Sequence, residues 1–233
     1  MKLGVLKYPG GHGEAELMQV LQNHFRKEVR EVWYKEPAYP DIDALFIGGG
    51  FPCFMNKSVQ QCLESSPALQ YLEAFISAGR NVIGFVNGFR FLCEAGYLPG
   101  AFRKNENGRY ICKQVFIKPE NNSTAMTRGL IGDEVFRTPI ATAFGNYVVD
   151  ESTLAQMRLE GQILFRYCDY EGRITESVNY TGSKDNIAGV CNLEKNIFGM
   201  IPQPERAISE LGVEADGRMI LESLLEHMLV RSD

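Results

Sequence analysis

The chain has 233 residues, of which 45% are hydrophobic, so it is long enough to bury the core of one large α/β domain. Its formal net charge is −5 and Lys and Arg form no long cluster, so neither a nucleic-acid partner nor an anionic membrane is indicated. No apolar run approaches the ~18 residues of a membrane span, and residues 1–8 are too few for a signal segment. We therefore expect a cytoplasmic protein with a single domain over residues 1–233.

Strands alternate with helices in the first part of the chain. The predicted strands are Lys2–Tyr8, Val29–Tyr34, Ala44–Ile47 and Val82–Phe85, and the predicted helices are Glu14–Phe25 and Pro67–Ala78, with Gly79 as a C-terminal cap. This order predicts a mostly parallel central sheet with helices on both faces. Ligands of such sheets bind in the crevice beyond the carboxyl ends of the strands.

The second part of the chain is richer in short strands. They are predicted at Ile111–Ile117, Val135–Ile140, Tyr147–Val149, Ile163–Tyr167, Ile187–Cys191 and Ile197–Met200. Turn residues separate them, and helices are predicted at Ser152–Leu159 and Asp216–Val230. No linker, repeat or low-complexity run divides the chain, so these strands extend the same α/β domain as smaller antiparallel elements.

The segment from Val82 to Phe89 predicts a buried strand, a sharp turn between glycines and then a helix. This geometry exposes one side chain at the edge of a sheet, where a nucleophile commonly stands. Here that residue is Val86. A valine has neither a lone pair to attack a carbonyl nor a proton to give up, so covalent catalysis from this position is excluded.

The same segment resembles the elbow of the class I glutamine amidotransferases. Its sequence is Gly84-Phe85-Val86-Asn87-Gly88-Phe89-Arg90, and it is closest to the PurQ-type glutaminase of formylglycinamide ribonucleotide amidotransferase (phosphoribosylformylglycinamidine synthase), whose elbow reads Gly-Val-Cys-Asn-Gly-Phe-Gln. Further motifs follow in the family's order, among them Gly48-Gly49-Gly50-Phe51, Gly145-Asn146-Tyr147 and Gly199-Met200-Ile201-Pro202-Gln203-Pro204-Glu205-Arg206. The resemblance implies the flavodoxin-like fold of that family.

The resemblance also implies a Cys, His and Glu triad for glutamine hydrolysis, which this chain departs from. Val86 stands in place of the cysteine and Gln203 in place of the histidine, while Glu205 remains. An amide cannot act as a general base near neutral pH, so the two losses are independent. With no imidazole to orient, Glu205 also has a simpler structural interpretation, as a carboxylate near the start of a short helix.

Two loops facing the expected pocket depart from the family as well. Thr142-Ala143-Phe144-Gly145 replaces a His-Gly-Glu-Gly segment, and Phe51-Pro52-Cys53-Phe54-Met55-Asn56 replaces Ser-Tyr-Gly-Asp. We therefore predict a pocket that is smaller and more apolar than in active relatives, with Val86 and Phe144 projecting into it. A zwitterion such as glutamine would lose water there without a charged partner, so we expect weak binding or none.

Backbone donors of the family's oxyanion hole do not depend on these side chains. The resemblance places them near Gly49 and Gly50 and at Asn87, with Phe51, Thr142 and Phe144 around them. The three glycines lack the Lys-Ser/Thr ending of a P-loop, so a nucleotide site is not favoured. Val86 is either held in the positive-φ conformation of the nucleophile or relaxed to a negative φ, and the sequence leaves both open.

Six cysteines are scattered without a CxxC pair, so the spacing favours neither a zinc site nor a thioredoxin-like site, and we expect isolated buried thiols. Cys53 is the exception to consider, because its loop faces the old active site and its thiol is a candidate displaced nucleophile. None of the three histidines matches a general-base position. No metal and no cofactor is predicted.

Three functions stay open at this point. The first is a non-catalytic subunit or regulator that binds a PurL-type synthetase, or another amidotransferase subunit, in purine biosynthesis or a related pathway. The second is a sensor that holds a small carboxylate or amide on the residual oxyanion donors. The third is an enzyme with relocated chemistry at Cys53. A homo-oligomer is compatible with each of them.

Overall fold

A computed structural model describes residues 1–9, 11, 13–38, 41–50, 59–130, 133–208 and 216–228, except the side chains of residues 59, 60 and 63. Eleven strands occur in these ranges. They are β1 (Lys2–Lys7), β2 (Glu28–Trp33), β3 (Ala44–Ile47), β4 (Asn81–Phe85), β5 (Ala101–Arg103), β6 (Ile111–Pro119), β7 (Phe136–Thr142), β8 (Asn146–Val148), β9 (Ile163–Cys168), β10 (Ile187–Cys191) and β11 (Ile197–Met200).

Nine of these strands form one sheet in the order β2-β1-β3-β4-β11-β10-β9-β6-β7. The five strands from β2 to β11 are mutually parallel, and the register pairs Gly84 of β4 with Ile47 of β3 and with Gly199 of β11. Strands β10, β9, β6 and β7 continue the sheet in antiparallel pairs. The mixed α/β architecture with a parallel half confirms the predicted fold class.

The described helices are α1 (Glu14–Gln19), α2 (Val59–Glu64), α3 (Pro67–Gln70), α4 (Leu72–Ser77), α5 (Asn87–Glu94), α6 (Glu151–Leu159) and α7 (Asp216–His227). Helix α1 continues as a π-helical turn over Val20–His24. None of the described helices combines the length and the hydropathy that crossing a bilayer requires.

Two predicted helices differ from the structure in their continuity. The single helix predicted over Pro67–Ala78 is broken at Tyr71, which ends α3 and begins α4. The helix predicted over Glu14–Phe25 changes from α to π at Val20, because the last amides bond five and six residues back. Strand β5 and helix α2 had not been predicted.

Small strand β5 pairs with β8 in a separate two-stranded sheet. The aromatic rings of Phe102 on β5 and Tyr147 on β8 pack on Phe89 of α5, with ring centroids 4.8 and 5.9 Å from that of Phe89. Phe89 is buried and its ring also packs on Gly199 of β11, so this aromatic cluster helps to hold α5 on the main sheet. Helix α5 starts two residues after the end of β4.

Candidate functional site

Val86 stands between β4 and α5 in a backbone conformation that valine rarely adopts. Its φ is 50° and its ψ is −102°. A β-branched side chain at positive φ costs on the order of 1 to 3 kcal/mol, so the surrounding structure must hold it. The Val86 amide donates to the Met200 carbonyl oxygen at 2.9 Å, and the Val86 carbonyl accepts from the Arg90 amide at 3.0 Å. Of the two alternatives left open by the sequence, the unrelaxed elbow is the one observed.

Close packing on both sides of the elbow explains why it has not relaxed. A Cβ on Gly84 would lie 2.7 Å from backbone atoms of Gly88 and Phe89, and a Cβ on Gly88 would lie 2.1 Å from the Ile47 carbonyl oxygen. Only glycine allows these backbone segments to approach so closely. The start of α5 is thus wedged against β3 and β4, which leaves Val86 no room to change its backbone angles without moving the helix.

Gln203 lies beside Val86 on the same side of Gly49. A Cβ built on Gly49 would be 2.9 Å from Gln203 Nε2 and 3.2 Å from Val86 Cγ2. The backbone of Gln203 is anchored because its amide donates to the Pro139 carbonyl oxygen of β7 at 2.9 Å. The residues that the resemblance places at the nucleophile and general-base positions are therefore neighbours in space.

Glu205 follows at the start of a 3₁₀ turn over Pro204–Arg206 and is almost fully buried. Burial raises the pKa of its carboxyl to about 7, while the Gln203 side chain and the Arg206 charge lower it to a smaller extent. One carboxyl oxygen, Oε2, and the amide oxygen Oε1 of Gln203 have no hydrogen-bond partner among the described residues. Glu205 stands in the first turn of this short helix, directly after Pro204, as the structural interpretation expected.

A pocket of about 430 Å³ opens over these residues. It is lined by Gly49, Gly50, Val86, Asn87, Arg90, Tyr110, Ala141, Thr142, Ala143, Phe144, Gln203 and Arg206. Six residues singled out from the sequence, Gly49, Gly50, Val86, Asn87, Thr142 and Phe144, thus line one cavity together with Gln203. No imidazole is among the described lining residues.

Two arginines also line the pocket, and each is already paired with a glutamate, so the weak glutamine binding expected from the sequence stays a prediction. The Arg90 guanidinium lies 4.3 Å from the centre of the Phe144 ring, and its Nε donates to Glu94. Arg206 pairs with Glu16 at 2.9 Å. The sequence analysis assigned neither arginine to the pocket. Arg90 lies four residues after Val86, so helical spacing places both at one face, and this signal could have identified it.

Asn105 organises the wall opposite the elbow. Its side-chain amide donates to the Thr142 and Arg109 carbonyl oxygens at 2.8 and 2.7 Å, and its Oδ1 accepts from the Gly145 amide at 2.8 Å. The Phe144 amide donates to Thr142 Oγ1 at 3.0 Å. Asn105 is buried, and sequence reasoning had not found it because two of its three backbone partners, at Thr142 and Gly145, are far away in the chain.

Phe51 and Cys53 lie outside the described residues, so their predicted roles are untested.

The cysteines differ in their state. Free thiols are present at Cys93, Cys112, Cys168 and Cys191, and burial raises the pKa of Cys191 to about 12 and that of Cys168 to about 11. Cys62 is disulfide-bonded, so the prediction of isolated thiols was wrong for this residue, since wide spacing in sequence does not exclude proximity in space. No cluster of three or more metal-ligating side chains occurs within the described ranges.

Comparison with known proteins agrees with this geometry. A sequence profile of the CobB/CobQ-like glutamine amidotransferase domain matches residues 2–219. The phosphoribosylformylglycinamidine synthase subunit PurQ of Koribacter versatilis is 39% identical, with 99% of this chain and 100% of that one covered. The subunit of the same name from Aquifex aeolicus is 40% identical, with 97% and 99% covered.

Among solved structures, that of PurLQS from Thermotoga maritima matches with a TM-score of 0.81 at 28% identity, covering 98% of this chain and 99% of that one. Full-length similarity at this level places the whole described fold, including the elbow, within one family. The chain belongs to the PurQ family of glutamine amidotransferases.

Proposed function

We propose that this protein is a PurQ-family subunit that assembles with a PurL-type synthetase in purine biosynthesis and does not hydrolyse glutamine. The observation that carries the proposal is the identity of the residue in the strained elbow, where Val86 keeps a φ of 50°. The scaffold that would present a nucleophile is intact, and the side chain it presents is an isopropyl group.

The neighbouring groups do not supply the missing chemistry. Gln203 lies beside Val86, but an amide cannot take a proton near neutral pH. Glu205 shares a hydrogen bond with Gln203, and burial raises the pKa of its carboxyl. Because Gln203 stands where the family has a histidine, Glu205 has no imidazole to orient. Both departures point to the same loss of glutaminase activity.

The assembly part of the proposal is supported by the relatives. The curated relatives are named as subunits, and they align with this chain over nearly their whole length. The matched solved structure is of PurLQS, and the fold agrees from one end of that chain to the other. A chain that keeps the complete family fold retains the surfaces from which such a complex is built, which supports a PurL-type partner.

The sensor hypothesis is favoured by one specific observation, the pair of arginines in the pocket. This hypothesis is compatible with a subunit role, because ligand binding can alter the interaction with a partner subunit. Relocated chemistry at Cys53 remains an untested prediction, because this residue lies outside the described part of the chain.

Co-expression tests the assembly. The chain should co-purify with the PurL-type synthetase of its own genome, and the complex should form product with ammonia as nitrogen donor but not with glutamine. A matched complex that contains an active PurQ protein is the control and should use both donors. Failure to co-purify would contradict the proposed subunit role. Product formation that depends on glutamine would contradict the proposal that the protein is not catalytic.

A further inference from the structure

The segment over residues 101–119 is basic although the protein is acidic. It holds five Lys and Arg residues and one carboxylate, Glu106, whereas the whole chain has a net charge of −5. Four of the cations, Arg103, Lys104, Arg109 and Lys113, are exposed, and none of the four forms an ion pair with a described carboxylate. Unpaired charges of one sign raise the local potential, so this part of the surface favours a negatively charged partner.

A tight turn brings these cations together. The Gly108 amide donates to the Asn105 carbonyl oxygen at 2.7 Å, and Asn105 Nδ2 donates to the Arg109 carbonyl oxygen at 2.7 Å. Lys104 and Arg109 therefore flank the same turn, and Arg103 directly precedes it at the end of β5. Because Asn105 is buried, the turn is fixed to the interior, and a surface that is already ordered loses less entropy on binding.

Two exposed tyrosines border the cations. Tyr180 is 40% exposed, and Lys113 Nζ lies 3.2 Å from the centre of its ring. The segment of Tyr180 adjoins the turn, because the Glu106 amide donates to the Thr181 carbonyl oxygen at 3.1 Å. Tyr110 is 64% exposed and follows the turn directly. Exposed tyrosines beside cations are typical of protein interfaces. We call this surface the basic patch; it consists of Arg103, Lys104, Arg109, Tyr110, Lys113 and Tyr180.

The basic patch adjoins the pocket at the elbow. Tyr110 belongs to the patch and also lines that pocket, beside Ala143 and Phe144. The two surfaces are joined through the backbone as well, because the Asn105 amide donates to the Ala143 carbonyl oxygen at 3.0 Å. A partner that is seated on the patch therefore also contacts the rim of the pocket.

The charge distribution favours a protein with an acidic surface over other polyanions. Long-range attraction to nucleic acid or to an anionic membrane depends on positive net charge, and this chain is net acidic. A protein partner needs only a local acidic area opposite the four cations, and the tyrosines supply apolar contact area. We propose that the PurL-type synthetase docks an acidic surface on the basic patch. This inference rests on the proposed subunit role and adds the surface that carries it.

The affinity of the full-length chain for its purified PurL-type synthetase, measured by calorimetric titration, tests the docking surface. Arg103→Gln combined with Lys104→Gln should weaken binding at least ~10-fold, because two cations are lost from the interface. Arg109→Gln combined with Lys113→Gln should have an effect of the same size. Raising the ionic strength from about 0.05 to about 0.5 M should also weaken the unaltered complex at least ~10-fold, since salt screens exposed charges.

Arg26→Gln combined with Lys27→Gln is the matched control. These two adjacent cations precede β2, which lies at the opposite end of the main sheet from β6 and β7, and neither is paired with a described carboxylate. The control should bind the synthetase as tightly as the unaltered chain. Circular dichroism shows whether each variant folds.

The outcomes separate the docking surface from the subunit role. A complex whose affinity is unchanged in both patch variants, or falls equally in the control, would overturn the docking surface and leave the subunit role intact. If a patch variant does not fold, an affinity of the unaltered complex that is independent of salt would overturn it. Absence of any complex with the unaltered chain would contradict the subunit role itself, and the docking surface with it.

Discussion

Val86 Cγ2 and Gln203 Nε2 lie over the same face of Gly49, 3.2 and 2.9 Å from the point where a Cβ of that residue would stand. The two positions that would hold a nucleophile and its base in an active relative are therefore still adjacent. The backbone that brings them together is also in place, from the strained elbow to the anchor between Gln203 and Pro139. What differs is the chemistry of two side chains, and this suggests a test by reversion.

Restoring the two reactive side chains should be cooperative. Val86→Cys alone is expected to give a thiol of weak reactivity, because the neighbouring Gln203 cannot take up its proton. Val86→Cys with Gln203→His should release glutamate at least ~10-fold faster than the single variant, since nucleophile and base act as one unit. Glutamate release in a coupled assay measures this, with Val86→Ala as control. Full activity from Val86→Cys alone would show that the base lies elsewhere.

Strain at the elbow should be measurable by comparing two buried valines. Val86→Gly relieves the positive φ, worth about 1 to 3 kcal/mol, while it removes an apolar side chain worth about 2 kcal/mol, so the net change should stay within ~1 kcal/mol. Val82 lies in β4 with ordinary strand geometry, so Val82→Gly removes a buried side chain and relieves no backbone strain. This variant should lower the free energy of unfolding by roughly 3 kcal/mol or more. Urea unfolding of both variants gives the comparison. Equal losses would mean that the elbow stores no strain.

The sequence located the elbow through its strand-turn-helix pattern, and the resemblance to the family located the residues around it. It also identified Thr142 and Phe144 as lining residues through the order of motifs. Arg90 was not assigned to the site, although its position four residues after Val86 could have placed it there; its contact with Phe144, a residue 54 positions later, could not be predicted from the sequence. The break at Tyr71 and the π-helical turn at Val20 were likewise not predicted, because hydrophobic spacing alone gave one continuous helix in each place.

Glu205 should make stability depend on pH between about 4.5 and 7. Burial raises its folded-state pKa from 4.5 to about 7, so the folded protein binds the proton more tightly than the unfolded chain. Its contribution is complete below pH 4.5 and is lost as the pH rises toward 7. Glu205→Gln should therefore be more stable than the unaltered protein at pH 8, on the order of 1 to 3 kcal/mol, and similar at pH 4.5.

Urea midpoints at both pH values measure this difference. Glu160→Gln, at an exposed glutamate that ends α6, is the control and should follow the unaltered protein at both. A Glu205→Gln curve that runs parallel to that of the unaltered protein would contradict a raised pKa at this position.

Asn105 should be essential for the wall that carries Thr142 and Phe144. Asn105→Ala removes three hydrogen bonds to buried or partly buried backbone groups and should lower the free energy of unfolding by about 2 to 4 kcal/mol. Asn107→Ala, which removes one exposed bond to the Arg109 amide, is the matched control and should cost less than about 1 kcal/mol. Thermal unfolding followed by circular dichroism compares them, and equal effects would contradict the role of Asn105.

The most direct test of the central claim is glutamate release by the purified chain, alone and in complex with its PurL-type synthetase. The account predicts release at the buffer background in both states, because Val86 cannot form a thioester and Gln203 cannot move a proton. Release that co-elutes with the protein, rises on assembly with the synthetase and persists through purification would contradict it.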